Sequence, residues 1–265
     1  MSAIPLPSSM KNKKVGLYGL SGDPPTGKGG HLGIVNFLSN HNIFDEIWII
    51  PVFKHMFSSK SNMTLFEHRY KMCELCFLNN NDKESKVKVL NIEELICKER
   101  NMKAVGTYDL LKYLNEYYIN MNINWTFVLG SDTYNSLMSG KWKKGNDILE
   151  LLSSIIVCVR PGYDTLVSCT NKKINVSFQN VPALKNISST CVRSIASTTS
   201  SSMLSLLLSL LGKKSIDSID SDAVHPAVIQ YIKDNKLYDS YSSVVPSLLC
   251  SASICLTILM SKLYQ

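Results

Sequence analysis

The chain has 265 residues, 45% hydrophobic and 18% charged, a balance that excludes a disordered or fibrous protein and allows one large buried core. Lys and Arg outnumber Asp and Glu by 28 to 21, giving +7, which favours anionic partners; no interleaved aromatic–basic motif points to nucleic acid. Of the eight cysteines only Cys73 and Cys76 form a C-x-x-C, and no second pair follows at zinc-ribbon spacing. Buried, reduced thiols in a cytoplasmic or nuclear protein are therefore expected.

Residues 1–13 read as a flexible extension without a signal-peptide core. The run "KVGLYG" (14–19) predicts a buried first strand, followed by a Gly/Pro-rich loop and by "HLGIVNFLSNH", whose Leu32, Val35 and Leu38 stand at helical spacing. "DEIWIIPV" predicts a second strand and "TLFEHRYKMCELCF" a second helix, one that would hold the Cys73–Cys76 pair. "KVKVLNI" (86–92), "TYDLLKYLNEYY" (107–118) and "WTFVLGSD" (125–132) continue the strand–helix–strand alternation, and "SSIIVCVRPG" (153–162) and "KINVSFQ" (173–179) add two strands. Strands separated by helices predict a Rossmann-like, doubly wound, mostly parallel α/β sheet with helices on both faces.

A small helical C-terminal part follows, with a clear helical pattern in "HPAVIQYIKDNKLY". The main domain is expected over 14–239, interrupted by a Ser/Leu-rich insertion at 197–222 and followed by a hydrophobic tail at 240–265. Residues 244–261 approach the length of a membrane span, though Pro246 and several serines weaken that reading. A C-terminal anchor, a packed or dimer-forming segment and a poorly ordered end all stay open, as does a homo-oligomer.

The first loop poses the sharpest question. Gly22, Gly27 and Lys28 fit G-x-x-x-x-G-K, but Gly29 stands where a Mg²⁺-holding hydroxyl should follow, and Pro24 and Pro25 lack the N–H groups of a phosphate cradle. The loop is not a P-loop. It leads instead to His31 at the start of a helix, whose free N–H groups and dipole attract anions.

At these residues a resemblance becomes specific. "GLYGLSGDPPTGKGGH" resembles the Gly-x-Phe-x-Pro loop ending in His-x-Gly-His of the nucleotidyltransferase superfamily, and "ISSTCVRS" (187–194) is similar to its Ile-Ser-Ser-Thr-x-x-Arg signature. "FDEIWIIPVFKH", "FEHRYKMC", "TYDLLKYL", "FVLGSDTYNSLMSGKW", "IVCVRPGY" and "VHPAVIQYIKDNKLY" resemble nicotinate/nicotinamide mononucleotide adenylyltransferases in particular.

The resemblance implies adenylyl transfer from ATP to nicotinate or nicotinamide mononucleotide, with Mg²⁺ bound through the substrate phosphates and no metal held by the protein alone. It implies that His31 is catalytic, and that Gly19, Leu20, Ser21, Thr26, Gly30, His31, Ser188, Ser189, Thr190 and Arg193 contact ATP. Lys60, Arg69, Thr107, Asp132 and Trp142 would serve the mononucleotide, with Lys54 and His55 as alternatives. The loop departs from the family where its first histidine should stand, and two extra residues separate Pro25 from His31. Lys28 as a catalytic cation, or Thr26 as a hydrogen-bond donor, are the two replacements. Plain structural roles compete: a helix cap in "ISST", an N-cap at Asp132, a surface aromatic at Trp142. Adenylyl transfer to another phosphate, such as phosphopantetheine, and a non-catalytic nucleotide binder are the rival functions.

Overall fold

The computed structural model describes residues 4–56, 63–78, 85–159, 169, 173–182, 184–185, 187–198, 220 and 222–238. The chain alternates strands and helices: β1 (Lys14–Leu20), α1 (His31–Asn40), β2 (Glu46–Pro51), α2 (Phe66–Phe77), β3 (Val87–Val89), α3 (Ile92–Glu99) and α4 (Thr107–Tyr117). Then come β4 (Asn124–Gly130), α5 (Ser131–Met138), α6 (Gly145–Glu150), β5 (Ser154–Val159), β6 (Asn175–Asn180), α7 (Ser189–Thr198) and α8 (Pro226–Asp234). The six strands form one parallel sheet in the order β3-β2-β1-β4-β5-β6.

Strand period decides which face each side chain reaches. Tyr18 and Leu20 of β1 and Ile47 and Ile49 of β2 join the core under α1, α2, α7 and α8. Val15 and Leu17, with Trp48 and Ile50, join the opposite core under α3, α4, α5 and α6. Both faces are covered, so the strands read as continuous apolar runs; all six residues of β2 are buried.

The order reverses between β1 and β4: β2 and β3 are laid to one side, β5 and β6 to the other. Above the carboxyl ends of β1 and β4 the connecting loops diverge, which is where this class of sheet leaves a crevice.

Residues 4–13 of the segment before β1, expected to be flexible, pack against the domain. Met10 is fully buried, Tyr118 Oη donates to the Pro5 carbonyl at 2.7 Å, and Asn12 N–H donates to the Met121 carbonyl at 2.8 Å. An apolar side chain within a polar stretch supplies the reason. Among the described residues no helix is long and apolar enough to cross a membrane. The tail, nearly all of the 197–222 insertion and the Arg160-Pro161-Gly162 turn lie outside the described residues.

Candidate active site

A cleft of about 520 Å³ occupies the switch point. β1 and its exit supply Tyr18, Gly19, Leu20 and Ser21, and β4 supplies Val128, Leu129 and Gly130. His31, Thr107 and Asp132 enter from the first turns of α1, α4 and α5, so three helix N-termini open towards the space. Lys54, His55 and Met56 line it from the loop after β2, and Trp142 from the loop between α5 and α6.

His31 is held by an unusual partner. The Thr26 backbone N–H donates to His31 Nδ1 at 3.0 Å, Thr26 Oγ1 lies 2.8 Å from the same nitrogen, and His31 N–H donates to Thr26 Oγ1 at 2.9 Å. A nitrogen that accepts a backbone N–H carries no proton of its own. The neutral ring therefore keeps its proton on Nε2, where it is a donor. Thr26 is 1% exposed and acts through His31. Gly30 is needed beside it, because a Cβ there would collide with Thr26 Oγ1.

Lys28, the other replacement, is exposed and is not among the residues lining the cleft. Its ammonium lies near His225, the N-cap of α8, whose pKa is lowered by burial first and by Lys28 second.

The second signature meets the first loop directly. Ser189 Oγ donates to the Pro24 carbonyl at 2.8 Å, and Arg193 Nη1 donates to the Asp23 carbonyl, with the Asp23 carboxylate 3.8 Å away. Arg193 Nη2 also donates to Thr190 Oγ1 at 3.1 Å. Ser188 Oγ accepts from Cys191 N–H at 3.2 Å, an ordinary N-cap for α7. Ser189 and Arg193 thus adjoin the first loop at Pro24 and Asp23, and none of the four residues is among those lining the cleft.

Arg69 departs most from expectation. It is 2% exposed, and its guanidinium donates to four carbonyls: Thr64 at 2.7 Å, Ser21 at 2.7 Å, Val52 at 2.6 Å and Phe53 at 2.9 Å. With four of its five N–H donors used inside the protein, Arg69 is a strut joining the loop after β1 to the connection between β2 and α2, and it is not among the residues lining the cleft. Burial lowers its pKa, opposed by the Asp23 carboxylate. Lys60 lies outside the described residues.

Sequence reasoning missed Glu93. It lines the cleft, is 7% exposed, and its Oε2 accepts from Phe53 N–H at 2.8 Å. Burial pushes its pKa up to about 8, only partly opposed by the Phe53 bond and Arg69. Arg69 and Glu93 thus grip the 52–53 backbone by its carbonyls and its N–H. Nothing in "NIEEL" signals this, since the partners come from elsewhere in the chain.

Cys73 and Cys76 are buried on α2 beneath the first loop, with the Cys76 thiol 3.8 Å from the Thr26 carbonyl. Burial raises the Cys73 thiol well above its usual value and Cys76 to about 12. Gly22, at φ +64°, leaves room for Cys73: a Cβ there would stand 2.7 Å from its sulfur.

A cytidylyltransferase-like family model matches residues 23–195, from Asp23 within the first loop through the second signature. A probable nicotinate-nucleotide adenylyltransferase of Bacillus cytotoxicus is 33% identical over 151 residues, covering 57% of this chain and 71% of the relative. The chain belongs to the cytidylyltransferase-like family, among the nicotinate-nucleotide adenylyltransferases. Another such relative, from Acholeplasma laidlawii, is 26% identical over 226 residues, covering 84% of this adenylyltransferase and 96% of its own length. Among solved structures, nicotinic acid mononucleotide adenylyltransferase of Plasmodium falciparum, complexed with NaAD, matches at a TM-score of 0.63 and 26% identity. That match covers 86% of this adenylyltransferase and 98% of the solved chain.

Proposed function

We propose that this adenylyltransferase joins the adenylyl group of ATP to nicotinate mononucleotide, releasing pyrophosphate. The observation that carries the proposal is His31 at the mouth of α1, lining the cleft, with Nδ1 engaged by Thr26 so that the ring proton sits on Nε2. The acid form of the mononucleotide is favoured by the relatives' names and by the NaAD complex of the Plasmodium enzyme.

In this reading the ATP phosphates lie against the first loop, between His31 and the N-terminus of α7. The mononucleotide phosphate attacks the α-phosphorus; the bond to the bridging oxygen breaks, and its electron pair leaves with pyrophosphate. His31 Nε2–H donates to a non-bridging oxygen as charge builds, and the α1 N-terminus adds its dipole. Arg193 and the hydroxyls of Ser188, Ser189 and Thr190 hold the triphosphate, with Arg193 exchanging its Asp23 carbonyl for phosphate oxygens. Asp132 accepts from a ribose hydroxyl. Trp142 stacks on the pyridine ring beside Thr107, and Lys54 and His55 bring positive charge to the mononucleotide phosphate.

The cleft's donors are imidazole, hydroxyl and backbone amide, and its carboxyls Asp132 and Glu93 come from separate elements. That set fits a Mg²⁺ ion carried on phosphate oxygens and water, with Asp132 able to accept from its water shell. Mg²⁺ bound in this way neutralises phosphate charge.

The test is an assay of pyrophosphate release from ATP and Mg²⁺, with the adenylylated product identified, offering nicotinate mononucleotide, nicotinamide mononucleotide and phosphopantetheine in parallel. Higher kcat/KM for the nicotinate substrate is expected. Turnover of phosphopantetheine alone, or ATP binding without any dinucleotide, would refute the proposal.

A further inference from the structure

Among the described residues, five of the eight non-glycine residues with positive φ are asparagines, the residue type that tolerates that region best after glycine. Lys144 is an exception, at φ 59° and ψ 35°. It closes the loop that carries Trp142: Gly145 N–H donates to the Trp142 carbonyl at 3.2 Å, and Lys144 is the N-cap of α6. The Lys144 side chain crosses to another element, its Nζ lying 3.8 Å from the centre of the Tyr108 ring. Tyr108 follows Thr107 in the first turn of α4.

This cation–π contact therefore joins the Trp142 loop to the helix that carries Thr107, the two elements bounding one end of the cleft. From inside its own part of the fold, Trp142 is held by Ser136 Oγ, 3.2 Å from Nε1, and by the edge-on Phe127 ring at 6.1 Å. Neither contact reaches α4.

The geometry points to Lys144 and Tyr108 as positioning residues that fix the spacing of Trp142 and Thr107 and so tune affinity for the pyridine end of the mononucleotide. The ligand's identity rests on the proposed function; the clasp itself does not. Neither residue lines the cleft or adjoins the first loop, so ATP should not sense their loss.

The test uses Lys144→Met, which keeps the stem and removes the charge, with Lys144→Arg, Lys144→Gly and Tyr108→Leu. Trp48 is 0% and Trp125 2% exposed, whereas Trp142 is half-buried, so acrylamide quenching of tryptophan fluorescence in the free protein reports mainly on Trp142. The Met, Gly and Leu variants should quench more readily and raise KM for the mononucleotide about two- to five-fold, the size of an exposed cation–π contact. KM for ATP should not change, Arg should restore both readouts, and Met combined with Leu should be no worse than either alone.

Wild-type quenching in Lys144→Met would overturn the inference whatever the enzyme's substrate proves to be. Raised quenching with an unchanged mononucleotide KM would overturn the positioning role. Wild-type behaviour of Lys144→Gly would reduce Lys144 to a backbone position. Absence of any dinucleotide from the wild type would count against the proposed function, and quenching would still decide the clasp.

Discussion

Glu93→Gln offers the most direct test of how the cleft is built. The carboxyl is 7% exposed and its pKa is raised from 4.5 to about 8, burial being the cause. Near neutral pH the folded protein thus holds Glu93 protonated, whereas the unfolded chain ionises it. Because the folded pKa is the higher one, the stabilising contribution is fully present below pH 4.5 and is lost as pH rises through about 8. Over that window the folded state binds one more proton, so stability falls by about 1.4 kcal/mol per pH unit. Between pH 6 and pH 8 this amounts to about 2 kcal/mol, allowing for partial titration near the upper end. A glutamine can accept from Phe53 N–H as Glu93 Oε2 does, and it cannot ionise. Urea unfolding of wild type and variant at both pH values isolates the term, because every other titrating group cancels in the difference. The variant should gain about 2 kcal/mol on the wild type between pH 6 and pH 8. An equal difference at the two pH values would mean that Glu93 is not held neutral, and the burial argument would fail.

Four further variants test the site. His31→Ala should lower kcat by about 10²-fold or more while ATP binding changes less, and Thr26→Val should lower it by about ten-fold while the His31 ¹⁵N signals still report the Nε2–H tautomer, which the backbone N–H of residue 26 keeps; wild-type turnover in His31→Ala would remove that residue from the mechanism. Arg193→Ala should chiefly weaken ATP affinity, measured by calorimetric titration, and an unchanged Kd would count against its phosphate role. Arg69→Ala strips four part-buried carbonyls of their donor and leaves the buried Asp23 with Arg193 as its remaining cation, so a loss of about 3–5 kcal/mol in unfolding free energy is expected; a small loss of stability with a specific rise in mononucleotide KM would instead restore Arg69 as a ligand contact.

The alternation of strands and helices was legible because parallel strands covered on both faces leave unbroken apolar runs, as in "IWIIP". The sequence also carried the position of the crevice, since Gly19 and Asp132 each fall where a strand hands over to a helix. Helix α3 was hidden because it begins at Ile92, directly after "VLN", so one apolar run contains both strand and helix. The short α6, of six residues, shows too few turns for a periodic signal. Arg69 was misread for a different reason. Arginine in a helix beside a Gly/Pro-rich loop suits a phosphate, and only the four carbonyls converging from the loops after β1 and β2 reveal its structural task. Local pattern reaches one element; Arg69, Glu93 and Lys144 act between elements.

The lengthened first loop is where these levels meet. Two extra residues between Pro25 and His31 would let the histidine wander if loop length alone fixed it, although the closure entropy of so short an extension is small. The loop is instead tied down along its length. Gly27 N–H donates to the Ala223 carbonyl at 2.8 Å and Gly29 N–H to the Asp222 carbonyl at 2.7 Å, while Lys185 N–H donates to the Gly29 carbonyl at 2.8 Å. Its near end is gripped by Ser189 and Arg193, and at its far end the Thr26 carbonyl accepts from Leu32 N–H at 3.1 Å. The added residues are therefore absorbed against the chain before α7 and before α8, and Thr26 returns to His31. It follows that the position of His31 depends on the segment that ends in the Ser-Ser-Thr signature.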